Sequence, residues 1–191
     1  MTLWTVLRGL TTCVVVAAGS LAAIAQPAAA ATYQTVPVYS VNSVLAGTPR
    51  AMAVLNASTG ETAPLIQYSY TSALPDNDLM VLELEPGNLV RIKPRHTFSN
   101  DGNPHNDKCL AVKNNEPGLN QPIVNATCSY DSVNNDVWHI DVFVETGTLQ
   151  TNYQFKSVAF GTCIVVQNAS TGNNALLITH ACTGDNSLWR Y

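Results

Sequence analysis

The sequence predicts an all-β domain built from three copies of one unit, and three observations carry that expectation. The string NASTG occurs twice, at 56–60 and 168–172. Past Cys13, the four remaining cysteines form two pairs of identical nineteen-residue spacing, Cys109 with Cys128 and Cys163 with Cys182. Short β-branched and aromatic runs such as LVRI, YQFKSVAF, CIVV and ALLIT alternate with clusters of Asn, Gly, Pro and Asp, which is the pattern of strands separated by turns, and no helix of useful length is expected.

Taken in order, the first segment reads as an export signal. Arg8 gives the single positive charge, an apolar run follows through VVVAAGSLAAIA, and small residues crowd QPAAAA. Residues 1–31 are therefore expected to be a secretory signal peptide cleaved after Ala31, with Ala25 as a second acceptable position. A membrane anchor needs about twenty apolar residues and no cleavage site, which this segment does not offer. Residues 32–191 then form one domain. Without Arg8 the basic residues number 8 against 13 acidic ones, a formal charge of about −5. That balance argues against a nucleic-acid partner, and no amphipathic segment suggests a membrane surface.

An even number of cysteines in a secreted chain predicts disulfides. Three pairings are possible, and the equal spacing selects two local bridges, Cys109 with Cys128 and Cys163 with Cys182. Each closes a loop of about twenty residues and contributes roughly 3 kcal/mol by the chain-entropy argument. A zinc site is the weaker alternative, since no C-x-x-C pair is present.

The cysteines also serve as a ruler. Residues 109–128 lie over 163–182 without a gap at an offset of 54, and over 51–70 at an offset of 58. Val54, Val112 and Val166 share one column, Gly60, Gly118 and Gly172 a second, and Ile66, Val124 and Ile178 a third. Ala51 and Tyr70 stand where the other copies have cysteine, while Met80, Trp138 and Trp189 occupy one further position. The glycine column is expected to need positive φ, with Asn and Ser beside it as turn formers. NASTG and the NAT at 125–127 are also glycosylation sequons, for which a turn is the preferred reading. A unit of about fifty residues with four short strands cannot bury its apolar face alone. Three units together close a barrel without exposed edges, which predicts a β-trefoil.

At KCLAV (108–112), GTCIVV (161–166), Cys128, Cys182 and the closing NDVW and NSLW, the chain resembles the ricin-type β-trefoil lectin domains, from about Val38 to Tyr191. The resemblance implies a shallow sugar pocket in each repeat, built from an Asp two residues after the first cysteine, a ring near the second, and an Asn three residues before the Trp. The Asp positions here read Ala53, Ala111 and Val165, and the ring positions Tyr68, Ala126 and His180. The Asn is kept as Asn77, Asn135 and Asn186, and the glutamine of Q-x-W has become Asp78, Asp136 and Ser187. A lectin site holds a monosaccharide with about 4 kcal/mol, and hydrogen bonds to a charged group contribute about 1.5–3 kcal/mol, so losing the Asp removes most of the binding unless Asp78 or Asp136 replaces it. Trp138 and Trp189 are expected in the core. The carbohydrate-binding residues are thus Tyr68, Asn77, Asp78, Asn135, Asp136, His180 and Asn186. The sites of copies one and three are preferred, because copy two has no ring.

Nothing else in the chain suggests catalysis, a metal or a cofactor. His96, His105, His139 and His180 form no metal spacing, and no nucleophile, P-loop or dinucleotide motif occurs. Asp101, Asn103 and Asp107 lie in one run, NDGNPHND, that lacks the closing acid of a calcium loop and reads as a hairpin turn. Arg91, Lys93 and Arg95 alternate in RIKPR as a solvated strand face, with Pro94 at an edge or strand end. The expected protein is a secreted, extracellular, non-catalytic carbohydrate binder. The alternative is a β-trefoil scaffold that binds or inhibits a protein partner, with loop 99–108 as the contact.

Overall fold

The computed structural model describes residues 32–70, 76–99, 101, 103, 106–130 and 135–191, so the expected signal peptide and His105 lie outside the described residues. Thirteen strands follow in order: β1 (Thr32–Val36), β2 (Tyr39–Ser40), β3 (Arg50–Val54), β4 (Ala63–Ser69), β5 (Met80–Glu85), β6 (Leu89–Pro94), β7 (Lys108–Val112), β8 (Ile123–Thr127), β9 (Trp138–Val144), β10 (Thr151–Ser157), β11 (Cys163–Val166), β12 (Ala175–His180) and β13 (Trp189–Arg190). The short helix α1 (Val41–Leu45) follows β2. No helix among the described residues is long and apolar enough to cross a membrane.

Antiparallel pairing runs β1–β5–β6–β9–β10–β13–β2. Pro37 stands between β1 and β2, and because proline has no N–H to give a ladder, the two short strands act as one interrupted strand that closes a six-membered barrel. The hairpins β3–β4, β7–β8 and β11–β12 sit on one another through Ala175 opposite Gln67, Ala63 opposite Asn125, and Pro122 opposite Ile178. The result is the expected β-trefoil of three four-stranded repeats. Both local disulfides are present, each with a Cα separation of 5.0 Å, so the thiolates of a zinc site are consumed.

Equivalent residues fill the core. Met80, Trp138 and Trp189 lie opposite Pro94, Ser157 and Ser40, and Ile92, Phe155 and Val38, two residues before those partners in the chain, are buried with them. A buried indole N–H needs an acceptor. Trp138 donates to the Leu110 carbonyl at 3.0 Å, and Trp189 to the Ile164 carbonyl at 3.1 Å.

The repeated turn is explained by the column Gln67, Asn125 and Thr179, whose side chains are buried. Gln67 Nε2 donates to the carbonyls of Ser170 and Gly172, Asn125 Nδ2 lies within 3.5 Å of those of Ser58 and Gly60, and Thr179 Oγ1 donates to Gly118 at 2.9 Å. Each repeat therefore stitches itself to the turn of another, and each turn must keep its carbonyl geometry. Burial also removes Asn125 as a glycosylation acceptor. One expectation is corrected: only Gly118 of the glycine column has positive φ, at 116°. In all three copies positive φ falls on the pair after the strand, Asn56–Ala57, Asn114–Asn115 and Asn168–Ala169, and Gly60 and Gly172 donate their N–H to Ser58 and Ser170 Oγ.

Candidate functional site

Two shallow depressions gather the residues expected at repeats one and three. In repeat one, Ala53 of β3 and Ile66 of β4 form a floor, Tyr68 rises from β4, and Asn77 enters from the turn before β5, around about 430 Å³. Tyr68 is 42 % exposed, so a ring face is open to solvent. Asn77 Oδ1 has no hydrogen-bond partner. In repeat three, Val165, Ile178, His180 and Asn186 enclose about 280 Å³. His180 lies opposite Cys163, at the same register as Tyr68 opposite Ala51.

Each depression is completed by a residue that the repeat reading did not single out. Asn174, in the β11–β12 turn, lines the site of repeat one, and Asn120, before β8, lines that of repeat three. Both hold positive φ, at 63° and 64°, as does Thr62 in the same column. Positive φ at Asn is the signal that could have found them, but it does not show that the side chain serves another repeat.

In repeat two the ring position is Ala126, and Asn135 is spent on structure. Its Nδ2 donates to the Val112 carbonyl and its own carbonyl accepts the Val112 N–H, both at 3.2 Å.

The acids expected to replace the lost Asp do not reach these surfaces. Asp78 is 2 % exposed and Asp136 is 1 % exposed. Burial raises the pKa of both carboxyls; for Asp136 the Ser129 N–H and Arg91 pull the other way without overturning the shift. Asp136 accepts the Ser129 N–H at 2.7 Å. The proposed substitution for the sugar-binding Asp is therefore corrected: a side chain just before the core Met or Trp column turns inward with it.

The RIKPR stripe is likewise no solvated face. Arg91 pairs with Glu85 and lies 3.7 Å from Asp136, and Lys93 is 1 % exposed, with Nζ at 2.9 Å from both Glu83 Oε2 and Asp107 Oδ2. Burial pulls the Lys93 pKa down, but hydrogen bonds to Tyr130, Glu83 and Asp107 outweigh it and hold the ammonium above the ordinary lysine range. Asp107, taken by Lys93 and Ser99, cannot serve a calcium loop. Pro94 ends β6, as expected.

A larger depression of about 780 Å³ lies between β2, β10 and β13, walled by Tyr39, Tyr70, Tyr153 and Tyr191 with Arg50 and Arg190. Tyr153 and Tyr191 stack at 4.1 Å and Tyr39 meets Tyr70 edge-on at 5.0 Å. Burial, with the neighbouring Tyr153 hydroxyl, pushes the Tyr191 phenol up to about 12. Beside it the β9–β10 hairpin exposes Val142, Phe143, Val144 and Leu149.

The sequence matches no protein-family model and no curated protein sequence. Among solved structures, the chain is similar to the designed three-fold symmetric protein ThreeFoil, at 27 % identity and a TM-score of 0.63, with 83 % of this chain and 96 % of that chain covered. It is also similar to the Rhizoctonia solani agglutinin, at 14 % identity and a TM-score of 0.60 over 87 % and 96 % of the two chains. A third neighbour is the C-half of the earthworm R-type lectin, solved with GalNAc, at 8 % identity and a TM-score of 0.52 over 80 % and 94 %. These likenesses support the β-trefoil fold.

Proposed function

We propose that the protein is a secreted, non-catalytic glycan binder that contacts sugar through the depressions of repeats one and three. The observation that carries this reading is the assembly, twice, of a ring or imidazole and an Asn over an apolar floor: Tyr68 with Asn77, and His180 with Asn186. The ring offers an apolar face to a pyranose, and Asn77 and Asn174, or Asn186 and Asn120, offer amide donors and acceptors to its hydroxyls. GalNAc binding by the earthworm lectin half supports a glycan as the ligand class. Among the described residues neither lining holds a carboxylate, so each contact is weak, and useful affinity comes from engaging two sites on one polysaccharide. The described linings thus offer no carboxylate pair of the kind glycoside hydrolysis uses, which supports a binding role.

The test is binding to a glycan array and to insoluble polysaccharides, compared with the Tyr68→Ala/Asn77→Ala/His180→Ala/Asn186→Ala variant. Binding that the variant loses supports the reading. Binding that it retains, or none by the parent, refutes it and favours the second reading, a protein partner. The apolar β9–β10 tip beside the tyrosine-walled depression motivates that alternative, since exposed apolar patches mark contact surfaces.

A further inference from the structure

The Lys93 cluster is a buried amine held between two buried carboxylates, those of Glu83 and Asp107. Tyr33, Glu83 and Arg91 lie in one row across β1, β5 and β6, and Lys93 follows two residues after Arg91 on the same face. That face points away from the barrel core and is covered by the β6–β7 connection, which brings Phe98, Ser99 and Asp107, and by Tyr130 after β8. Lys93 Nζ is surrounded by the rings of Tyr33, Phe98 and Tyr130 at 5.3–5.6 Å. Its two partners, Glu83 and Asp107, are themselves buried. Asp107 Oδ1 accepts both the N–H and the hydroxyl of Ser99, at 2.9 and 3.1 Å, while Oδ2 faces Lys93 Nζ at 2.9 Å. Glu83 accepts from Tyr33 through Oε1 and from Tyr130 and Lys93 through Oε2.

From this arrangement we infer that Lys93 and Asp107 condense to an intramolecular amide, with Glu83 as the proton carrier. A proton moves from the Lys93 ammonium to Glu83, and the freed amine attacks Asp107 Cγ. Negative charge gathers on Oδ1, where the two Ser99 donors hold it as an oxyanion hole does. The Nζ–Cγ bond forms and the Cγ–Oδ2 bond breaks. Oδ2 leaves as water with two of the three ammonium protons, the amide nitrogen keeps the third, and Glu83 returns to its starting state. No oxidant or co-reactant is needed.

Two physical terms favour the step. Holding amine and carboxyl together raises their effective concentration to about 10⁵–10⁸ M. The product also replaces a buried ion pair, costly to desolvate, by a neutral amide. The reaction occurs once per molecule, so a slow rate suffices.

The experiment is intact-mass measurement of the purified, folded chain after complete disulfide reduction, followed by tryptic mapping. Trypsin places Lys93 in peptide 92–95, because Pro94 blocks cleavage after it, and Asp107 in peptide 96–108. The expected result is a mass lower by one water and these two peptides recovered joined as a branched species with two free N-termini, at Ile92 and His96, which separates it from the uncleaved peptide 92–108 of equal mass. A chain of full encoded mass, with the two peptides separate, overturns the inference. Glu83→Gln, refolded from denaturant, is expected to join at least about 10²-fold more slowly, the low end of proton-transfer catalysis. Joining at the parent rate would overturn the part given to Glu83.

Discussion

Repeats one and three share a turn and a strand register, yet they are held differently. Repeat three ties β11 to the segment just after β12 through Cys163–Cys182 and seats the Trp189 indole on the Ile164 carbonyl. Repeat one has Ala51 and Tyr70 at the cysteine positions and Met80 at the indole position, and Tyr70 packs edge-on against Tyr39 instead. Both hairpins nonetheless pair in the same way, Ala51 opposite Tyr68 and Cys163 opposite His180. Neither the bridge nor the indole is therefore required to set the register. The barrel pairing and the Gln67–Asn125–Thr179 stitching do that, and bridge and indole add stability to a geometry already chosen.

The strongest break in this comparison is Trp189→Met, which gives repeat three the core of repeat one. It loses indole volume and leaves the Ile164 carbonyl unpaired, at a cost of roughly 3 kcal/mol, read as a lowered urea midpoint with an unchanged m-value. Replacing Cys163 and Cys182 together by alanine is expected to cost about 3 kcal/mol or somewhat less, and the same loss should follow on reduction of that bridge alone. In the opposite direction, Ala51→Cys with Tyr70→Cys builds the missing bridge at the same register. It is expected to gain about 2 kcal/mol after the Tyr39 contact is lost, measured as the difference in melting between the oxidised variant and the oxidised parent, both with Cys109–Cys128 and Cys163–Cys182 intact. Failure of that bridge to close would mean that repeat one has drifted from the geometry of its partners.

The binding sites sharpen the comparison further. Ala53→Asp and Val165→Asp put a carboxylate on the floor of each depression, and each is expected to tighten glycan binding about tenfold, near 1.4 kcal/mol, at some cost in stability. Calorimetric titration with the best array ligand checks it. The smallest expected effect is at Asp78, buried with Oδ1 unpartnered. Its folded pKa lies above the ordinary Asp value, so the folded state binds more protons and stability falls as pH rises between the two values. Asp78→Asn is expected to flatten that slope and to gain at most about 1 kcal/mol at neutral pH, measured by urea unfolding across the acid range.

Much of the candidate site was legible because repetition aligns residues. Tyr68 with Asn77, and His180 with Asn186, meet in the structure as their columns predict, and Asn135 falls to a structural role in the copy without a ring. Asn120 and Asn174 were not legible, because each completes a depression of a different repeat and sequence order carries no record of which turn lies beside which strand. Asp78 and Asp136 were misplaced for a related reason: position beside a conserved-looking Asn says nothing about whether a short acidic side chain turns outward or in.

By itself the sequence determined the threefold β architecture, the two local bridges and the burial of Trp138 and Trp189. Those follow from spacing, alternation and turn chemistry, which are local and repeat along the chain. Only the tertiary structure decided what became of the outward face of β5 and β6. Alternation places Glu83, Arg91 and Lys93 on the side away from the core, and polar residues there are expected to meet water. The β6–β7 connection and Tyr130 fold over that side instead, so charges that would be solvated on an open sheet are desolvated, paired and brought within reaction distance.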